Sequence, residues 1–301
     1  MRVSEYTFTF SKDNKPVAYV KENELITFVC EDCYCGQVKG EETLVSKIED
    51  ENDNPATGPV FVENAEVGEV LVVNIKDIRV NNMGVAAAMQ HCGPLWKEYE
   101  ERTHVFDIVE NRVYWKKKDI SWEMKPMIGV IGTAHNQIDI KTMAVGDHGG
   151  NIDSPIICKD TKLYLPVRVK GALLSMGDLH ASMGDGEMCG NGIEISGEVD
   201  VTLQIIKNFT LHWPLSETKD AYFVHTNGET CDLAIQRGYE EMTRLVCNAY
   251  GWDLTDASIY LSLQAYVCAN QACLSPNNGG NSFRVGVPKI EKRLLIGEEY
   301  E

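Results

Sequence analysis

The sequence predicts a mainly β chain, α+β overall, made of β-sandwich or jelly-roll-like lobes with a β-barrel-like portion and a small helical C-terminal subdomain. Short runs of alternating or β-branched apolar residues fill the chain as far as residue 206. Helical spacing enters only late, between residues 237 and 268. Strand and helix patterns nowhere alternate as the crossovers of a doubly wound sheet require.

Residues 3 to 10 alternate Val, Tyr, Phe and Phe with polar neighbours, the period of a half-buried strand. A turn at Asn14-Lys15-Pro16 leads to strands over 17–20 and 25–30. A strand over 59–62, a turn at Gly68 and a long Val, Leu and Ile run follow, and so continuous a run predicts burial on both faces. The Ala- and Met-rich segment 81–92 reads as a loop or short helix. Residues 105–109 and 112–115, joined by Glu110-Asn111, read as a hairpin. Small glycines punctuate the apolar segment 125–134, and 197–206 alternates cleanly as a strand. Met242, Leu245, Val246 and Ala249 share a helix face over 237–250, which Gly251 can end. A second helix is expected over 255–268 with Thr255 or Asp256 as its cap, then a polar glycine-rich loop and closing strands. Three regions result: a β-rich metal and catalytic region at 1–210, a helical α+β subdomain at 211–275, and C-terminal strands at 276–301 that return to the β-rich core.

With 301 residues the chain can bury a large core without covalent staples. Its net charge of -17 and lack of a long basic cluster exclude a nucleic-acid surface, which needs concentrated positive charge. No apolar stretch approaches the roughly 18 residues of a membrane span, and the first residues alternate as a strand, so a cytoplasmic protein is expected. The ten cysteines are scattered through apolar patterns and fit a reducing compartment. Cys30, Cys33 and Cys35 supply one CxxC, short of the four ligands of a structural zinc, and are expected to be dispensable for chemistry.

The stretch 146–198 differs from ordinary loops: it gathers His148, Asn151, Asp153, Asp178, His180, Asp185, Glu187 and Glu194 and reads as a metal and catalytic site. His148, Asn151 and Asp153 lie in HGGNID, where Gly149 and Gly150 permit a tight turn. Asp178 and His180 are two apart on a strand, so their side chains share a face and can converge on one ion, with Asp153 or His148 completing the set. Imidazole beside carboxylates favours zinc among divalent ions, with calcium a candidate at a second site. Asp185 and Glu187 in the loop 183–187 add two carboxylates; Glu187 is the candidate for proton transfer, and the two roles can be exchanged. The Asn151 amide can enter the same pocket as a substrate contact. His91 can reach a ligand too, although a lone histidine beside an apolar segment is usually structural.

HGGNID, GDLHASMGDGE, GVIGTA and NPATGPVFVENAEVGEVLVVNI together resemble the acetamidase/formamidase family, strongly from Asn54 to Glu198 and more weakly to Lys289. DASIYLSLQAYV also matches. The resemblance implies a β-rich cytoplasmic hydrolase, homodimeric or of higher order, that cleaves small amides to carboxylate and ammonia. The small residues of MGVAAAM suggest a narrow pocket, which with the resemblance points to formamide or acetamide. The alternative is a calcium-stabilised β-sandwich binding or scaffold protein without catalysis, for which the five dispersed tryptophans offer no aromatic platform.

Overall fold

The computed structural model describes residues 1–48, 53–274, 281–290 and 295–296. The expected glycine-rich loop at 275–280 lies outside them. A nine-stranded sheet runs in the order Arg2–Val3, Ile26–Cys30, Gly197–Ile206, Val70–Val80, Lys162–Pro166, Leu215–Glu217, Ala221–Gly228, Asn281–Pro288, Tyr266–Gln271. A seven-stranded sheet has Met127–Gly132, Leu174–His180 and Ala56–Val62 at its centre. Both sheets are open in strand order, so the barrel-like portion expected from sequence does not form among the described residues.

The long strand Val70–Val80 explains its own composition. Leu71, Val73 and Ile75 point into a core shared with Val60, Ile128, Met176 and Leu179 of the seven-stranded sheet. Val70 and Val72 point the opposite way, onto Met242, Leu245 and Val246 of helix α1 (Cys231–Tyr250) and Leu261 of helix α2 (Leu254–Gln264). The sheet is thus covered on both sides, by a second sheet and by helices, as its near-continuous apolar run requires. No helix among the described residues is long and apolar enough to cross a membrane.

Helix α1 ends where expected, with Gly251 left-handed at φ 67°, but starts earlier, at the cap Thr230, whose side chain accepts from the Leu233 amide. Helix α2 is capped by Asp253 instead of Thr255 or Asp256 and stops at Gln264. Tyr266–Gln271 then pairs with Asn281–Pro288, because the open edge of that strand offers a ladder that a continued helix could not use. The segment 81–92 contains the strand Met83–Ala88, paired with Arg102–Val109; here tertiary pairing overrides the helical preference of an alanine run. The hairpin at 102–115 turns through Glu110 and Asn111, both at positive φ. The opening residues form three short strands, 2–3, 6–7 and 9–10, which pair into three different sheets.

Candidate metal and catalytic site

Five ionisable side chains meet beside a cavity of about 910 Å³, and none of the five residues is more than 6% exposed. Asp178 and His180 come from the end of strand Leu174–His180, and Asp153 follows the strand Gly149–Asn151. Glu187 enters from the loop after residue 183, and Glu194 from a segment bridged to both His180 and Val85. His180 Nε2 lies 3.1 Å from Glu194 Oε1, 3.4 Å from Asp178 Oδ1 and 3.9 Å from Asp153 Oδ1. Ligand atoms of Asp153, His180 and Glu187 fall within 4.8 Å of one another, as do those of Cys33, Asp178 and Glu194.

Glycine makes this crowding feasible. A side chain at Gly129, across from Asp178 on the neighbouring strand, would place its Cβ 2.6 Å from Asp178 Oδ2 and closer still to Asp153 Oδ1. Amides orient the acids from behind: Asn54 Nδ2 donates to Asn151 Oδ1 at 3.1 Å and lies 3.4 Å from Asp178 Oδ2, and Gln271 Nε2 donates to Asp153 Oδ2.

The electrostatics disfavour leaving all of these acids charged with no cation beside them. Burial, then the neighbouring Asp178, holds the Asp153 carboxyl well above the usual carboxylate range; burial, then Asp153, does the same to Glu187. Glu194 is pushed up to about 7 by burial, against the pull of His180. Burial works against charge on His180, but Glu194 and Asp178 together outweigh it and raise its pKa. Asp153 Oδ1, Asp178 Oδ1 and Glu194 Oε2 are buried without a hydrogen-bond partner among the described residues. Unsatisfied carboxylate oxygens grouped around an imidazole are costly alone and are the donor set of a divalent ion, so these residues fit a metal.

Of the remaining candidates, His148, Asp185 and His91 lie elsewhere. His148 is fully buried edge-on against Phe10, ring centroids 5.0 Å apart, and does not line the acid cavity; burial lowers its pKa to about 3. Asp185 faces outward with its side chain 53% exposed and pairs with Arg284 at 2.7 Å. His91 is exposed and stacks on Trp96. Asn151 does line the cavity. Ala86 to Ala88, expected to narrow the pocket, line an adjoining hollow of about 900 Å³.

Sequence reading placed Glu194 in the acid-rich stretch 146–198 without giving it a role, and did not assign Cys33, Asn54 or Gln271 to the site. Glu194 carried a faint signal, an acid between Ile193 and Ile195 in the same dense stretch. The other three arrive from 97 or more residues away from Asn151, Asp153 and Asp178, or from an isolated CxxC, and have no local signature.

The profile of the Acetamidase/Formamidase family matches residues 9–139 and 136–230. The fold is shared with the crystal structure of an acetamidase from Bacillus halodurans, with a TM-score of 0.91 and 33% identity over 96% of this chain and 97% of that one. A Schizosaccharomyces pombe protein carrying a formamidase name is 26% identical over 253 residues, 63% of this chain and 61% of that protein. A formamidase of Methylophilus methylotrophus is 47% identical over 70 residues, 23% of this chain and 17% of that protein. The chain therefore matches about three fifths of the yeast relative's length and far less of the bacterial formamidase. Family match, shared fold and acid cluster agree: the chain belongs to the acetamidase/formamidase family.

Proposed function

We propose that this protein is a divalent-metal-dependent amidohydrolase that cleaves small aliphatic amides, formamide or acetamide, to carboxylate and ammonia. The observation that carries the reading is the buried group Asp153, Asp178, His180, Glu187 and Glu194, with unpartnered carboxylate oxygens beside a cavity, in a chain of this family. His180, Asp178 and Asp153 are the residues proposed to hold the ion. Mixed imidazole and carboxylate donors support zinc, and the Cys33 thiol beside Asp178 and Glu194 argues against calcium at that second position, because calcium takes oxygen ligands. A bound divalent ion supplies Lewis acidity to the amide carbonyl and acidifies water.

An amide also needs a proton moved from the attacking water to the departing nitrogen. Glu187 is proposed for that role: it is buried, within reach of Asp153 and His180, and its raised pKa suits a group that alternates between acid and base. Asp153 is oriented by Gln271 and Asp178 by Asn54. Asn151 lines the cavity as a substrate contact, and Asp185 acts from behind the site. A cytoplasmic homodimer or larger homo-oligomer belongs to the same reading.

Ammonia release from formamide and acetamide, with elemental analysis of the purified protein and of His180→Ala, tests it. Turnover that is lost on chelation, and lost together with the ion in His180→Ala, is the expected result. Bound ion without turnover of any small amide would favour a scaffold, and full occupancy in His180→Ala would remove that ligand assignment.

A further inference from the structure

Arg284 is a cation where none is needed for the chemistry just described. It sits 5% exposed on strand Asn281–Pro288. Its Nη1 donates to Ala269 O at 2.9 Å and Asn270 Oδ1 at 3.1 Å, and its Nη2 donates to Asp185 Oδ1 at 2.7 Å. Among the described residues Asp185 is its sole ion-pair partner. An ion pair whose carboxylate is half exposed adds little net stability, so its use lies in the geometry it imposes.

That geometry ends at Glu187. Gly186, between Asp185 and Glu187, donates its amide to Asn270 O at 3.1 Å and accepts from the Ala272 amide at 2.9 Å, so the loop is laced to the edge strand Tyr266–Gln271. Cys273 Sγ donates to the Glu187 carbonyl at 3.0 Å. Glu187 itself is left-handed, φ 46°, a conformation that a non-glycine residue keeps only where its surroundings impose it. The clamp is anchored deep in the sheet. Asn270 Nδ2 donates to Ser282 Oγ at 3.1 Å and to His225 Nδ1 at 3.2 Å, so His225 Nε2 carries the proton and donates to Ser216 Oγ at 2.6 Å. These contacts orient the Asn270 amide so that its oxygen faces Arg284.

We propose that Arg284 is a positioning residue for amide hydrolysis: through Asp185 it holds the loop 184–187 against the edge strand so that the Glu187 carboxyl faces Asp153 and His180. This rests on the reading of Glu187 as the proton-transfer group. The same strand orients Asp153 through Gln271, so a single edge of the nine-stranded sheet sets two of the acids.

The test compares Arg284→Met, Arg284→Lys, Asp185→Asn, the Arg284→Met/Asp185→Asn double variant and Glu187→Gln, with acetamide and formamide as substrates. Arg284→Met and Asp185→Asn should each lower kcat by about ten- to a hundredfold, inside the roughly two- to 150-fold that coupling between contacting residues spans, with KM within a few-fold and metal content at the parent level. The double variant should be no slower than the slower single one, and Arg284→Lys should recover part of the loss. Parent kcat in a folded Arg284→Met, losses that multiply in the double variant, or metal loss in Asp185→Asn would each overturn the proposal. If Arg284→Met does not fold, Asp185→Asn, which alters a half-exposed side chain, decides by the same kcat criterion. Inactive Glu187→Gln beside active Arg284→Met removes the clamp alone, whereas active Glu187→Gln removes the Glu187 reading and the clamp with it.

Discussion

Asp178 Oδ1 and His180 Nε2 meet at 3.4 Å from positions two apart on one strand, although Asp178 has left-handed backbone at φ 54°. Strand periodicity alone would bring the two to one face. The Asp178 carboxylate lies where a side chain at Gly129 would stand, so the glycine leaves it room. Asp153 and Glu187 are left-handed as well, at φ 49° and 46°. Each such residue costs of order 1–3 kcal/mol, and strain of this kind gathers where side chains must be aimed.

Glu187→Gln keeps the shape of the side chain and removes its titrating group. On the proposed mechanism kcat falls by about 10²- to 10⁴-fold, KM stays within a few-fold and the metal remains. Steady-state kinetics with elemental analysis check this. Loss of metal instead would make Glu187 a ligand, and parental kcat would end its role in proton transfer.

Gly129→Ala introduces a methyl group 2.6 Å from Asp178 Oδ2. The acids must move apart, so metal affinity should drop and stability should fall by about 1–3 kcal/mol, as overpacking does. Competition with a chelator and urea unfolding measure the two effects. Unchanged metal affinity would show that the close approach of Asp153 and Asp178 is not what holds the ion.

Cys33 and Cys35 should part company. Burial pushes the Cys33 thiol well above its ordinary pKa, and its sulfur stands with Asp178 and Glu194; Cys35 is outside that group. Cys35→Ser should keep parental turnover, whereas Cys33→Ser should bind less divalent metal per chain. Equal metal content in both variants would make Cys33 a packing residue, as its sequence context alone suggests.

His148 and His225 are both buried with pKa values lowered from 6.5 to about 3, by burial first and then by nearby His135 and Arg168 for His148 and by Arg284 for His225. The unfolded chain takes up protons near 6.5 that the folded protein refuses, so the contribution of these two histidines to stability is complete above that pH and is lost as pH falls toward 3. The slope is about 1.4 kcal/mol per pH unit for each histidine. Urea midpoints at stepped acid pH should show it, and His225→Gln should flatten it; an unaltered slope would mean that His225 takes up protons when folded.

The β-rich class, the two late helices, the Gly251 stop, the hairpin at Glu110-Asn111 and the density of acids in 146–198 were legible because each is written in neighbouring residues. Periodicity, capping and turn chemistry act over a few positions. Asp178 and His180 could be paired from strand period alone for the same reason.

What only the tertiary structure decided depends on sequence separation. Cys33, Asn54 and Gln271 reach the acids by chain closure, and Met83–Ala88 and Tyr266–Gln271 became strands because a ladder partner lay beside them. His148 and Asp185 have the right chemistry within the right motifs, but one turns into the core against Phe10 and the other outward to Arg284. A side chain's direction in a glycine-rich loop follows from backbone angles that local sequence leaves open and that packing against distant strands selects.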